Sequence, residues 1–186
     1  QLGCFSLYAA KVMTSGEGGA IITDDKKLFE KLKQIRNHGL SKNHLTTMFG
    51  LNLRLPEINA AIAKVQMKKL PGLLGKRKKN AQILTELLKN CDIIPPKQRK
   101  GETLNWYLYT IALKNRNNIM KKLNSSGIGA AVYYSPPIHK TPYYKTKTKL
   151  PNTDWAACHV LSLPIHPEVS KSDMVRMKKI FYDNRK

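Results

Sequence analysis

Lys11 stands just after the apolar and small run Phe5, Ser6, Leu7, Tyr8, Ala9, Ala10, and shortly before Thr14, Ser15, Gly16, Glu17, Gly18, Gly19. A lysine just past a strand end, with small neighbours and a glycine-rich turn beyond, is placed where water is partly excluded. Desolvation disfavours an ammonium and frees an amine for carbonyl chemistry. Ser6, five residues earlier, offers a hydroxyl and a backbone N–H to an anion. By residue type alone, one more solvated surface lysine is the plainer reading, since the chain has 26 of them. Histidines leave alternatives open too: His38 faces a pocket or closes the preceding helix, and His166, between Ile165 and Pro167, reads as structural.

The elements that must position these residues follow from periodicity. Residues 2–7 and 19–23 read as short strands joined through Ser15-Gly16-Glu17-Gly18. Asp24 or Asp25 can cap a helix with Leu28, Leu32 and Ile35 at helical spacing, ended by Gly39. Residues 41–53 show no period and read as a loop. Pro56 suits a first helical turn, and Ile58, Ala61, Ile62 and Val65 follow one face to about Leu70. Pro71-Gly72 interrupts that pattern as a kink or a boundary, after which residues 73–89 resume it. Beyond Cys91, residues 104–113 and 130–134 read as strands, and 115–126, 152–161 and 170–183 as helices. Ser170 and Asp173 have capping-box spacing.

Composition sets the outer limits. The chain has 186 residues, 41% hydrophobic and 24% charged, which excludes collagen-like and wholly disordered classes. Its apolar runs are too short for a membrane span, and Cys4, Cys91 and Cys158 fit neither a disulfide framework nor a metal-ligand spacing. A reducing cytoplasmic setting and no metal are expected. Thirty-three Lys plus Arg against 12 Asp plus Glu give a net charge of +21. That charge raises an alternative function, a non-enzymatic basic module binding a polyanion such as nucleic acid through Lys76-Arg77-Lys78-Lys79 and its surroundings. Dispersed lysines, with only 7 arginines, make nucleic acid the less expected partner.

A resemblance sharpens the reading of Lys11. Residues 4–25, CFSLYAAKVMTSGEGGAIITDD, resemble the segment around the Schiff-base lysine of the DegT/DnrJ/EryC1/StrS family of pyridoxal-phosphate sugar aminotransferases. The similarity continues in order through residues 36–39 (RNHG), 50–61 (GLNLRLPEINAA), 66–70 (QMKKL), 127–134 (GIGAAVYY), 137–139 (PIH), 142–144 (PYY) and 161–167 (LSLPIHP). It spans nearly the whole chain.

The resemblance implies an α/β fold, the C-terminal part of a fold-type I pyridoxal-phosphate transferase. Residues 1–70 would be the end of the cofactor-binding large domain, and 71–186 a linking helix and a smaller α+β domain. It implies that Lys11 is the Schiff-base lysine and proton carrier, that Ser6 contacts the cofactor phosphate, and that Asn52 and Arg54 reach the phosphate of a dimer partner. His38, Tyr133, His139 and Tyr143 would lie at the substrate, with Tyr133 standing where the family usually has His. Lysine rather than histidine at position 11 favours transamination over sugar dehydration. The substrates implied are a nucleotide-linked ketosugar and an amino-acid donor, typically glutamate, in polysaccharide or deoxyaminosugar synthesis. The family's phosphate turn, ring-stacking aromatic and pyridine-holding aspartate belong to an N-terminal half. The chain is therefore expected to be a fragment, inactive without that half, with apolar surface exposed where it would dock.

Overall fold

A computed structural model describes residues 1–183; the end of the second predicted domain, residues 184–186, lies outside the described residues. The chain forms two compact units, Gln1–Pro71 and a second from Gly72 onward.

In the first unit, β1 (Gly3–Ser6) pairs antiparallel with β2 (Gly19–Ile22), Gly3 opposite Ile22 and Ser6 opposite Gly19. Leu2, Phe5, Ile21 and Ile22 of this ribbon are all exposed. Helix α1 (Lys26–Ile35) starts where Asp25 accepts the N–H groups of Lys27 and Leu28, at 2.8 and 3.0 Å, satisfying two otherwise unpaired donors. Gly39, at φ +69°, turns the chain after it, a conformation that glycine adopts at little cost.

Helix α2 (Glu57–Leu88) runs through Pro71 without a break. The expected interruption is thus absent as a break in helix, although the division between the two units falls there.

In the second unit, β3 (Tyr109–Ala112) and β4 (Val160–Leu163) pair antiparallel, Tyr109 opposite Leu163. Helices α3 (Arg116–Ser125), α4 (Pro151–His159) and α5 (Lys171–Tyr182) surround this ribbon. Leu84 and Leu88 of α2, Tyr109 and Ile111 of β3, Leu123 of α3, Leu161 of β4 and Met174 and Met177 of α5 form one closed core. Each such side chain contributes about 1.5–3 kcal/mol by leaving water. Helix α3 ends in a Schellman motif: Ile128 N–H donates to the Leu123 carbonyl and Gly127 N–H to the Asn124 carbonyl, both at 3.0 Å. Ser170 and Asp173 form the expected capping box of α5.

Three boundaries differ from the sequence reading. Residues 130–134 make no strand: only Ala131 bridges to Ser162, because the chain then runs into Ser135, Pro136 and Pro137, and proline has no N–H for a ladder. Helix α4 stops at His159, since Val160 turns extended and Leu161, Ser162 and Leu163 are buried against β3. The strand expected over 104–113 shortens to Tyr109–Ala112. Among the described residues, no helix is long and apolar enough to cross a membrane.

Candidate active site

Lys11 lies half-buried in the turn that follows β1, its N–H donating to the Tyr8 carbonyl at 3.0 Å. The turn is fixed from several directions. Leu7 N–H donates to Gly18 O and Ser15 N–H to Leu7 O, both at 2.9 Å. Thr14 Oγ1 donates to Leu7 O at 3.0 Å and accepts from Gly16 N–H at 2.9 Å. Ser15, 1% exposed, donates through Oγ to Glu17 O at 2.9 Å.

Asn59, in the first turn of α2, closes the arrangement by donating Nδ2 to Ser15 O at 2.6 Å and to Glu17 O at 3.3 Å. Gly18, at φ +136°, holds a backbone conformation that side chains strain, and a Cβ there would press on Leu55 Cδ1. The backbone carrying Lys11 is thus held by the start of α2. At the end of β1, Ser6 Oγ accepts the Tyr8 N–H at 3.3 Å and keeps its own O–H to donate. Lys11 and Ser6 therefore share one short turn.

A second group is built by the segment after α1. Leu51 N–H donates to Ile35 O at 2.7 Å, Leu53 N–H to Arg36 O at 2.8 Å, and His38 N–H to Leu51 O at 3.0 Å, so residues 51–53 lie against the end of α1. The approach depends on two facing glycines: a Cβ on Gly50 would stand 1.9 Å from Gly39 N. On this support Arg54 Nε donates to Asn52 Oδ1 at 2.9 Å, which orients the guanidinium and leaves its other N–H groups to meet an anion. His38, at φ +56°, is exposed beside them.

Tyr133, His139 and Tyr143 lie in the second unit. Tyr133 packs edge-to-face on Tyr134, ring centroids 5.2 Å apart, and Tyr143 on Tyr144 at 5.0 Å. Tyr143 is 90% exposed, a ring presented to solvent. His139 differs: it is 8% exposed, and its Nε2 stands 3.2 Å from Asp154 Oδ1. Lys140 Nζ lies 2.8 Å from the same oxygen. Both groups thus converge on one buried carboxylate oxygen. Lys140, followed by the smaller influence of His139, holds the Asp154 carboxyl below the usual carboxylate range.

Sequence reasoning placed no role on Asn59, Thr14, Ser15 or Asp154. For Thr14 and Ser15 the signal is local, small polar residues around a glycine turn, whereas Asn59 has none because the carbonyls it meets lie 44 and 42 residues away. Asp154 had none, because its partners are distant in sequence.

The chain matches the DegT/DnrJ/EryC1/StrS aminotransferase family over residues 1–181. It is 30% identical to a UDP-N-acetyl-3-dehydro-alpha-D-glucosamine 3-aminotransferase of Acidithiobacillus ferrooxidans, covering 97% of this chain and 50% of that protein. It is also 30% identical to a dTDP-3-amino-3,4,6-trideoxy-alpha-D-glucose transaminase of Streptomyces venezuelae, covering 95% and 48%. Among solved structures, S. venezuelae DesV in complex with a ketimine intermediate superposes with a TM-score of 0.92 at 28% identity, over 98% of this chain and 51% of that one. A DegT DnrJ EryC1 StrS aminotransferase from Brucella abortus does so with a TM-score of 0.91 at 29% identity, over 98% and 50%. The chain thus spans about half the length of the relatives it matches. With that match running from the first residue into α5, the chain belongs to the DegT/DnrJ/EryC1/StrS aminotransferase family.

Proposed function

We propose that this chain is part of a cytoplasmic, pyridoxal-5'-phosphate-dependent sugar aminotransferase of fold type I. It moves an amino group from an amino-acid donor, glutamate, to a nucleotide-linked ketosugar in polysaccharide or deoxyaminosugar synthesis. On this reading residues 1–70 are the end of the cofactor-binding large domain, and 71–186 the linking helix and smaller domain. The observation that carries it is Lys11, half-buried on a turn locked by Leu7, Thr14, Ser15 and Asn59. The two relatives named for nucleotide sugars support the substrate class.

The residues suit the cofactor. Bound pyridoxal phosphate supplies an aldehyde that condenses with amines and a ring that takes up an electron pair. The Lys11 amine would hold the cofactor and would serve as the base that moves a proton at the reacting carbon, from a turn fixed by Leu7, Thr14, Ser15 and Asn59. The Ser6 hydroxyl donates to the phosphate, its oxygen already committed to Tyr8 N–H. In a homodimer with shared sites, Asn52 and Arg54 of one subunit meet the phosphate held by the other, where a pre-oriented guanidinium suits a dianion. His38, Tyr133, His139 and Tyr143 serve the substrate side: the exposed tyrosine rings cover a base or sugar ring, and the net charge of +21 draws in a diphosphate.

Borohydride trapping tests this reading. The chain is incubated with pyridoxal phosphate, reduced, digested and mapped by mass spectrometry. Label concentrated on Lys11, and lost from that peptide in Lys11→Arg, is the expected result. Label spread over the surface lysines overturns the reading that this chain's own turn organises the cofactor site.

A further inference from the structure

The loop that carries Tyr143 and Tyr144 is closed on itself and tied to the fold at one carboxylate. A single 3-10 turn, Ile138–Lys140, opens it. Lys140 N–H donates to Pro137 O at 2.9 Å, Thr141 N–H and Oγ1 donate to Ile138 O at 3.1 and 2.7 Å, and Lys145 N–H donates to Thr141 O at 2.9 Å. Thr146 N–H then returns to His139 O at 3.1 Å, so His139 sits at both ends of the loop. Its ring and the Lys140 ammonium converge on Asp154 Oδ1, at 3.2 and 2.8 Å. Asp154 lies in the first turn of α4, where the helix dipole favours a negative charge. Tyr143 and Tyr144, 90% and 55% exposed, lie within this closed loop with their rings edge-to-face.

We propose that Asp154 is a positioning residue for the substrate: by holding His139 and Lys140 on one buried carboxylate oxygen, it presets the Tyr143–Tyr144 face as a wall for the nucleotide part of the sugar nucleotide. The proposal rests on the aminotransferase reading for its ligand but not for its anchor. A preset wall lowers the ordering cost of binding. Asp154 does not touch the reacting atoms, so its loss weakens nucleotide binding without affecting attachment of the cofactor at Lys11.

The test compares the full chain with Asp154→Asn and Asp154→Glu. Hydrogen exchange is read at the Lys145 and Thr146 amides, with β3–β4 amides as the folding control, and UDP is titrated as the probe. In Asp154→Asn, exchange at Lys145 and Thr146 rises about tenfold and UDP affinity falls by about the same factor, as expected for losing a contact to a charged group. Asp154→Glu restores most of both, and the β3–β4 amides stay protected. Unchanged exchange at Thr146 overturns the anchor. Exchange rising equally across β3 and β4 also overturns it, because Asp154 would then hold the domain rather than the loop. Absence of UDP binding by the parent chain, or unchanged affinity in Asp154→Asn, overturns the wall. Selective borohydride labelling of Lys11 distinguishes that failure from failure of the aminotransferase reading itself.

Discussion

Replacing Asn59 by alanine isolates the contact that ties the lysine turn to helix α2. The side chain donates to Ser15 O at 2.6 Å and to Glu17 O at 3.3 Å. Glu17 O keeps a second partner, Ser15 Oγ at 2.9 Å, so the loss falls mainly on the Ser15 carbonyl of a residue only 1% exposed. Leaving a buried acceptor without its donor costs about 1–3 kcal/mol. Because Glu17 nearby is exposed and water can reach part of the gap, we expect about 1–2 kcal/mol, or about a 5- to 30-fold rise in local opening. Hydrogen exchange at the Leu7 and Ser15 amides reads this directly, since their bonds to Gly18 O and Leu7 O define the turn. Asn59→Asp keeps the shape but has no donor and sets a charge against two carbonyls, so it opens the turn at least as much. Unchanged protection at Leu7 and Ser15 in Asn59→Ala, or equal loss of protection at Ala112 in the other unit, would refute the argument.

Gly50→Ala drives a Cβ to within 1.9 Å of Gly39 N and 2.5 Å of the His38 carbonyl carbon, backbone atoms that cannot step aside. It is expected to cost about 3 kcal/mol and to expose the His38 and Leu51 amides to exchange. Gly75→Ala, in α2 with open space around it, is expected instead to stabilise its helix by about 0.5–1 kcal/mol, seen as increased protection along α2. Tyr109 is fully buried with its hydroxyl 2.8 Å from Thr85 Oγ1, and burial pushes its pKa above the usual 10.0. A group whose folded pKa is raised stabilises the fold below its unfolded pKa and loses that contribution as pH rises through the folded value. Thermal melts should therefore fall as pH climbs above about 10. Tyr109→Phe should remove that component, at a cost of about 1 kcal/mol near neutrality.

Where one stretch of chain contains both partners of an interaction, sequence was enough to find it. Asp25 caps α1 from two residues away, Ser170 and Asp173 box the start of α5, and Gly127 closes α3. The block from Cys4 to Asp25 singles out Lys11 through its resemblance to the family's Schiff-base segment, since by residue type alone Lys11 is one of 26 lysines. Strand lengths were less legible. Residues 104–108 and 132–134 have the aromatic and β-branched character of strands, yet a strand also needs a neighbour with free N–H and C=O groups in register. β4 offers that only to Tyr109–Ala112 and to one bridge at Ala131.

The same logic explains why Asn59 and Asp154 were missed. Asn59 acts on carbonyls 42 and 44 residues away, at Glu17 and Ser15, so nothing around it in sequence signals a role. For His139 the resemblance implies a place at the substrate, while what sets its ring, burial and the Asp154 carboxylate, is not legible in the loop motif. The exposed ribbon β1–β2 is the converse case. Phe5, Ile21 and Ile22 carry the pattern of a core strand and remain in solvent across the described residues, so a hydrophobic pattern states what a segment can bury and not what covers it. A residue's type and near neighbours therefore fix what chemistry it can perform, as for Lys11. What holds it in place is written further off in sequence, in a carbonyl 44 residues from Asn59 and, for His139, in the Asp154 carboxylate on α4.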